Sequence, residues 1–255
     1  MKSQFAATLF GLLAASSVTA AEKPTIVLVH GAFADSSSWN GVIKILEKDG
    51  FPVVAVANPL RGVRSDARYV ADIVNALDTP VVLVGHSYGG SVISSSEITT
   101  ANVTALVYVA AFAPDSGETA SNLSTKFPGS TLGGALAAPV ALSGGGSDLY
   151  IQQPKFHDQF AADVSASSAA AMAAGQRPIT EAALNEAASE PNWKSVPSWF
   201  IYGEEDRNIP PEVIAFMAER AKARKIEAVK GASHVVMISH PKAVAEMIEV
   251  AAAAR

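Results

Sequence analysis

Short apolar runs and apolar positions at helical spacing alternate along most of the chain. Residues 25–29, 52–57, 80–84, 105–110, 198–202 and 225–229 are brief stretches rich in β-branched residues, and each predicts a strand. Where such a run is unbroken, as in Thr25-Ile26-Val27-Leu28-Val29, the strand is expected to be buried on both faces. Helices are predicted between them. One runs over 39–48, with Val42, Ile43, Ile45 and Leu46 turned inward, and stops at Gly50. Ser65 caps a second, whose inner face is Val70, Ile73, Val74 and Leu77. A third follows residue 87 and ends near Glu97, and a fourth covers 211–223. A last one opens at Pro241 with Val244, Met247, Ile248 and Ala251 on one face. Six strands alternating with helices predict an α/β fold, a doubly wound and mainly parallel six-stranded sheet.

Between residues 114 and 197 the pattern breaks. This stretch is rich in Ala, Gly, Ser and Pro, with a loop at 143–147, a helix candidate at 178–188 and a weaker one at 156–174. No strong strand is predicted there. The segment is too long for a plain connection, so it is expected to be a helical cap inserted over the site, with residues 22–113 and 198–255 forming the core. Residues 1–21 read as a cleavable signal peptide. Lys2 is followed by an apolar run over 5–15 and by the small residues Val18-Thr19-Ala20. A periplasmic or secreted protein is therefore expected. No later stretch is long and apolar enough for a membrane helix, so stable membrane insertion is not expected.

Composition narrows the chemistry. With 255 residues, 49% of them hydrophobic and 17% charged, the chain is expected to bury one full core. The net charge of −5 and the lack of a basic cluster argue against nucleic acid as a partner. There is no cysteine, which removes disulfides, thiol nucleophiles and cysteine-bound metals. The histidines lack the H-E-x-x-H spacing of a metal site. The residues after the first strand lack the glycines of a dinucleotide loop. No metal and no cofactor are expected.

The chemistry-bearing stretch is Val-Val-Leu-Val-Gly-His-Ser-Tyr-Gly at 81–89. A buried strand enters G-x-S-x-G and a helix leaves it, so Ser87 is expected at the apex of a sharp turn. Gly85 and Gly89 supply the missing Cβ atoms the turn requires. The backbone N–H of Tyr88 then lies at a helix N-terminus, where negative charge is favoured. A serine hydroxyl needs a base, and the base needs an orienting acid. Asp206 follows the fifth predicted strand and His234 the sixth. Glu204 and Glu205 are rival acids. His30, His86, His157 and His240 are rival bases: His86 should point away from the site, His30 should shape the loop beneath it, and His157 and His240 read as surface or capping groups.

The Ser-acid-His order, with the elbow at Ser87 and Val-His-Gly-Ala at the end of the first strand, resembles the α/β-hydrolase superfamily. It is most similar to the small esterase branch that includes plant methyl esterases and hydroxynitrile lyases, and the likeness covers essentially the whole mature chain. The resemblance implies strand order 2-1-3-4-5-6. It also implies Ser87 as nucleophile, His234 as base, Asp206 as orienting acid, and the N–H groups of Ala32 and Tyr88 as an oxyanion hole. The implied reaction is cleavage of small carboxylic esters through an acyl-enzyme. Phe33, Phe112, Phe156, Phe160 and Trp193 are candidate pocket residues, and Ser36, Ser37 and Ser38 candidate contacts. Two other activities share the fold: a hydroxynitrile-lyase-like C–C cleavage and low-turnover ligand binding. The lyases carry a threonine and a lysine where this chain has Gly31 and Val235.

Overall fold

The computed structural model describes residues 23–254; the expected signal segment lies outside them. The main sheet contains β1 (Thr25–Val29), β2 (Val53–Val56), β3 (Val81–His86) and β4 (Val103–Val109). After residues 114–197 it takes in two more strands, β8 (Ser198–Gly203) and β9 (Lys225–Val229). All pairings are parallel and the order is β2-β1-β3-β4-β8-β9. Counted within this sheet, that is the 2-1-3-4-5-6 order implied by the family resemblance. β1, β3 and β8 are buried along their whole length, as their unbroken apolar runs predict, whereas edge strand β9 is exposed or half-buried at every position.

Helices α1 (Asn40–Lys48), α2 (Val63–Asn75), α3 (Tyr88–Ser94), α9 (Pro211–Arg220) and α11 (Pro241–Ala253) cover the sheet, α1 against α11 and α2 against α3. The α11 face Val244, Met247, Ile248 and Ala251 is buried as read. Among the described residues no helix is long and apolar enough to cross a membrane.

The start of α2 and the end of α3 differ from expectation, and one short helix is added. α2 starts at Val63, and Ser65 sits inside its first turn with Oγ donating to the Gly62 carbonyl. Asp66 does the capping work instead, accepting the Arg61 and Gly62 amides. α3 stops at Ser94, short of Glu97. The chain extends at Ser95, and Asn192 donates to the freed carbonyls of Ser95 (2.8 Å) and Ile98 (3.2 Å). A short helix, α10 (Val236–Ser239), adds a turn after His234.

Residues 114–197 contain five short helices: α4 (Ala120–Ser124), α5 (Leu132–Ala135), α6 (Gln153–Phe160), α7 (Ala166–Gly175) and α8 (Glu181–Asn185). They also contain strands, against expectation. β5 (Val140–Ala141), β6 (Ser147–Leu149) and β7 (Ile179–Thr180) form an antiparallel sheet. Each is two or three residues long, too short to show a period. The 143–147 loop is the β5–β6 turn, with Gly145 and Gly146 at φ 92° and 77°. The single weak helix expected over 156–174 is two helices, because Ser165 caps α7 by accepting the Ser168 amide. The segment is tied to the core by Arg61 to Asp148 (2.7 Å) and by a bidentate Arg220–Glu118 pair (2.8 and 2.9 Å).

The turn from β3 to α3 sets the position of Ser87, whose backbone is held at φ 53°, ψ −123°. This turn is packed against backbone on every side. A Cβ on Gly85 would lie 2.7 Å from the Gly89 carbonyl group, and one on Gly89 would lie 2.3 Å from the Val29 oxygen. One on Gly90 would lie 2.2 Å from the Phe112 oxygen. These neighbours are main chain and cannot rotate aside. Gly90→Ala, although outside the G-x-S-x-G pattern, is therefore expected to lower stability by about 2–3 kcal/mol in urea unfolding. An unchanged midpoint would show that the contact between α3 and the chain after β4 is softer than this packing requires.

Candidate active site

The turns following β1, β3, β8 and β9 bring together the residues singled out in the sequence. Asp206 leaves β8 in a tight turn. Its Oδ1 accepts the amides of Asn208 (2.8 Å) and Ile209 (3.0 Å), and its Oδ2 accepts Nδ1–H of His234 at 2.6 Å. Both side chains are buried. The rival acids Glu204 and Glu205 are exposed. The Asp206 bond fixes the proton on Nδ1 and leaves Nε2 of His234 bare; Nε2 is buried and has no protein partner. Ser87 and His234 line the same cavity.

That cavity is bounded by Ala32, Phe33, Tyr88, Phe112 and Ile209, with Leu132, Phe160 and Leu184 from residues 114–197. Its volume is ≈ 60 Å³ for the centres of water-sized spheres, where one water needs about 10–15 Å³. Among the described residues, the backbone amides of Ala32 and Tyr88 donate to no protein acceptor. Tyr88 is the first residue of α3, so its N–H is one of the orphan donors of a helix start. Ala32 is fixed from both sides: Gly31 packs against Ser87, and the Phe33 amide donates to the Arg177 carbonyl of the inserted segment (2.9 Å).

Three of the five candidate pocket aromatics, Phe33, Phe112 and Phe160, line the cavity, and two do not. Phe156 is a correction: it is fully buried behind Phe160, ring centroids 5.0 Å apart. Trp193 is another: its Nε1–H donates to the Pro114 carbonyl (3.0 Å) and its ring lies under the Arg220 guanidinium. Ser36, Ser37 and Ser38 also lie off the cavity, forming the one-turn 3₁₀ helix capped by Asp35. The sequence reading missed Ser121, Ser124, Leu132, Leu184, Asn208 and Ile209, which carry no local motif.

The other histidines take supporting positions. His30 donates Nδ1–H to the Gly31 carbonyl (2.9 Å) and accepts the Asn58 amide on Nε2 (3.1 Å), so it shapes the Ala32 loop as expected. Burial lowers its pKa to about 4. His86 does not point away from the site. Its ring packs 4.8 Å from that of His234 and donates Nε2–H to the His234 carbonyl (3.1 Å). Burial first, and the neighbouring His234 second, hold its pKa well below the usual histidine range. His157 donates to the Val164 carbonyl, and His240 precedes α11 with Nδ1 bonded to Ser239. Buried Asp66 accepts the Tyr88 hydroxyl (2.9 Å), and burial raises both of their pKa values.

This arrangement is a hydroxyl on a strained turn, a histidine with one free nitrogen held by a carboxylate, and two amides without a protein partner on residues that line the same cavity. It can support nucleophilic attack on a carbonyl. The chain belongs to the alpha/beta hydrolase family, whose model matches residues 26–247. It is similar to an alpha-hydroxynitrile lyase of Arabidopsis thaliana, at 26% identity over 242 residues, covering 86% of this chain and 93% of that protein. It is similar to methylesterase 1 of the same plant at 26% identity, covering 86% of this chain and 92% of that protein. A longer chloroplastic relative is spanned over 62% of its length. Among solved structures, the fold is that of polyneuridine aldehyde esterase, with a TM-score of 0.77 at 21% identity over 90% of this chain and 99% of that one.

The neutral state of His30 makes stability depend on pH. The unfolded residue takes up a proton near 6.5, the folded one only near 4. Between these values the unfolded state binds more protons. The contribution is complete above about pH 6.5 and is lost as pH falls toward 4, by roughly 3 kcal/mol. Urea unfolding at pH 7.5, 5.5 and 4.5 is expected to show a steeper loss in the wild type than in His30→Gln. Parallel curves for the two proteins would remove His30 as the source.

Proposed function

We propose that the chain is a serine-dependent hydrolase of small carboxylic esters. The observation that carries this reading is the Asp206–His234 hydrogen bond beside a Ser87 elbow that opens on the same cavity. Ser87 Oγ attacks the ester carbonyl while Nε2 of His234 takes the hydroxyl proton. The oxyanion that forms accepts the amides of Ala32 and Tyr88. His234 returns the proton to the departing alcohol, leaving an acyl-serine. Water attacks that ester, giving its proton to His234, and the acid leaves as Ser87 is reprotonated. Asp206 holds the ring and stabilises the imidazolium in both steps. The esterase names among the relatives support this reaction class.

The lyase reading is weaker, although a lyase is among the relatives. A Cβ at Gly31 would lie 2.6 Å from Ser87 Cβ and 2.7 Å from the His86 oxygen, so this loop has no room for the lyase threonine. Val235, at the position of the lyase lysine, is fully buried among apolar residues. The N-terminal pattern of Lys2, the apolar run over 5–15 and Val18-Thr19-Ala20 supports export from the cytoplasm and cleavage near Ala20. The inserted segment, which supplies Leu132, Phe160 and Leu184 to the cavity, acts as the cap that selects substrate.

On a p-nitrophenyl ester series from C2 to C12, turnover is expected to be highest for the short acyl chains, since Ser87 and His234 open on a small apolar cavity. Ser87→Ala is expected to lower kcat at least about 10³-fold, and Asp206→Asn about 10³- to 10⁴-fold. A wild type no faster than Ser87→Ala on every ester would sink the proposal.

A further inference from the structure

The loop that carries His234 is held at three successive residues. The Ala232 carbonyl accepts the Glu205 amide (3.0 Å), and the His234 carbonyl accepts Nε2–H of His86 (3.1 Å). Both of those partners belong to the core. Ser233, between them, is held from the inserted segment: its Oγ donates to Oδ1 of Asp163 and lies 3.4 Å from the Phe160 carbonyl. Phe160 also packs its ring against the His234 imidazole, centroids 5.1 Å apart. Residues 160–163 thus touch both the His234 ring and the residue before it.

Asp163 lies in the turn between α6 and α7, its side chain 14% exposed. Among the described residues, its carboxylate makes one hydrogen bond, the one from Ser233. Oδ2 is buried without a partner, 3.7 Å from Nδ1 of His240, and that nitrogen is bonded to Ser239 Oγ (2.9 Å). Drawing a carboxylate out of water for a single bond to a neutral hydroxyl contributes little to stability, and an apolar pair could fill the same place at lower cost. The pair is better accounted for by what it fixes, which is the residue next to the proposed base.

We infer that Asp163 is a positioning residue for the proposed reaction: through the Ser233 hydroxyl it fixes the backbone that carries His234, and with it the direction of Nε2. Misplacing a reacting group by about 1 Å costs on the order of 10²-fold in rate, and one tether among three is expected to be worth about tenfold. The inserted segment then completes the catalytic geometry in addition to walling the cavity. This inference rests on the ester hydrolase reading and deepens it.

The test is a double-mutant cycle on hydrolysis of p-nitrophenyl butyrate, with kcat counted per serine labelled by a fluorophosphonate, so that misfolded protein does not enter the rate. Asp163→Ala and Ser233→Ala are each expected to lower kcat about tenfold with KM within about twofold of wild type. The double variant is expected to lose about tenfold as well, where independent effects would multiply to about 100-fold. It also removes the carboxylate that Ser233→Ala leaves unpaired, and so serves if that single variant does not fold. Asp163→Asn keeps an oxygen that accepts the Ser233 hydroxyl and is expected to retain at least about half of the wild-type kcat. Unchanged kcat in both alanine variants, a loss confined to KM, multiplying losses, or an Asp163→Asn as slow as Asp163→Ala would each overturn the inference and leave the esterase reading standing. A wild type that hydrolyses the ester no faster than Ser87→Ala would overturn both.

Discussion

The close backbone approach around Ser87 is the constraint from which the rest of the site follows. β1, β3 and the chain after β4 meet the first turn of α3 at distances that exclude a Cβ on Gly85, Gly89 or Gly90. Only this crowding holds a serine at φ 53°. It also decides what surrounds the hydroxyl: the start of α3 gives the free amide of Tyr88, and the pressure of Gly31 on Ser87 brings in the amide of Ala32. The parallel sheet supplies the remaining parts, because its strands end on the same side and each can add a turn there.

Histidine chemistry in this pocket is divided by burial and hydrogen bonding. His30 and His86 are enclosed, neutral and committed to backbone groups, one under the Ala32 loop and one under the His234 loop. His234 alone of the three is paired with a carboxylate, which leaves it the one able to stabilise a proton. Three neighbouring imidazoles thus perform different jobs: His234 lines the cavity, and the two neutral ones behind it add no competing positive charge.

Much of the core was legible from the chain because burial on both faces leaves an unbroken apolar run, as in β1 and β3. The elbow was legible because its glycines are adjacent in sequence to the residue they serve. Signals that depend on distant partners were not. α3 ends at Ser94, and the chain that leaves it is held by Asn192, almost a hundred residues away, which binds the Ser95 carbonyl. Phe156 and Phe160 are equally aromatic, and packing alone decides which of them faces the cavity. The strands of the inserted segment are too short to impose a period, and Asn208 is held by an amide on α6 that no local pattern announces.

The contact of Gln159 with the turn after β8 has an evolutionary consequence. The same side chain that anchors α6 over the cavity also holds the Arg207 carbonyl and Asn208, next to the Asp206 carboxylate. The inserted segment is therefore not a freely exchangeable module. Drift or recombination that repositions α6 disturbs the acid turn together with the cavity wall. A change of substrate choice made through this segment is thereby coupled to residues 206–209, and a chimaera joining two different halves has to supply the Gln159 contact anew.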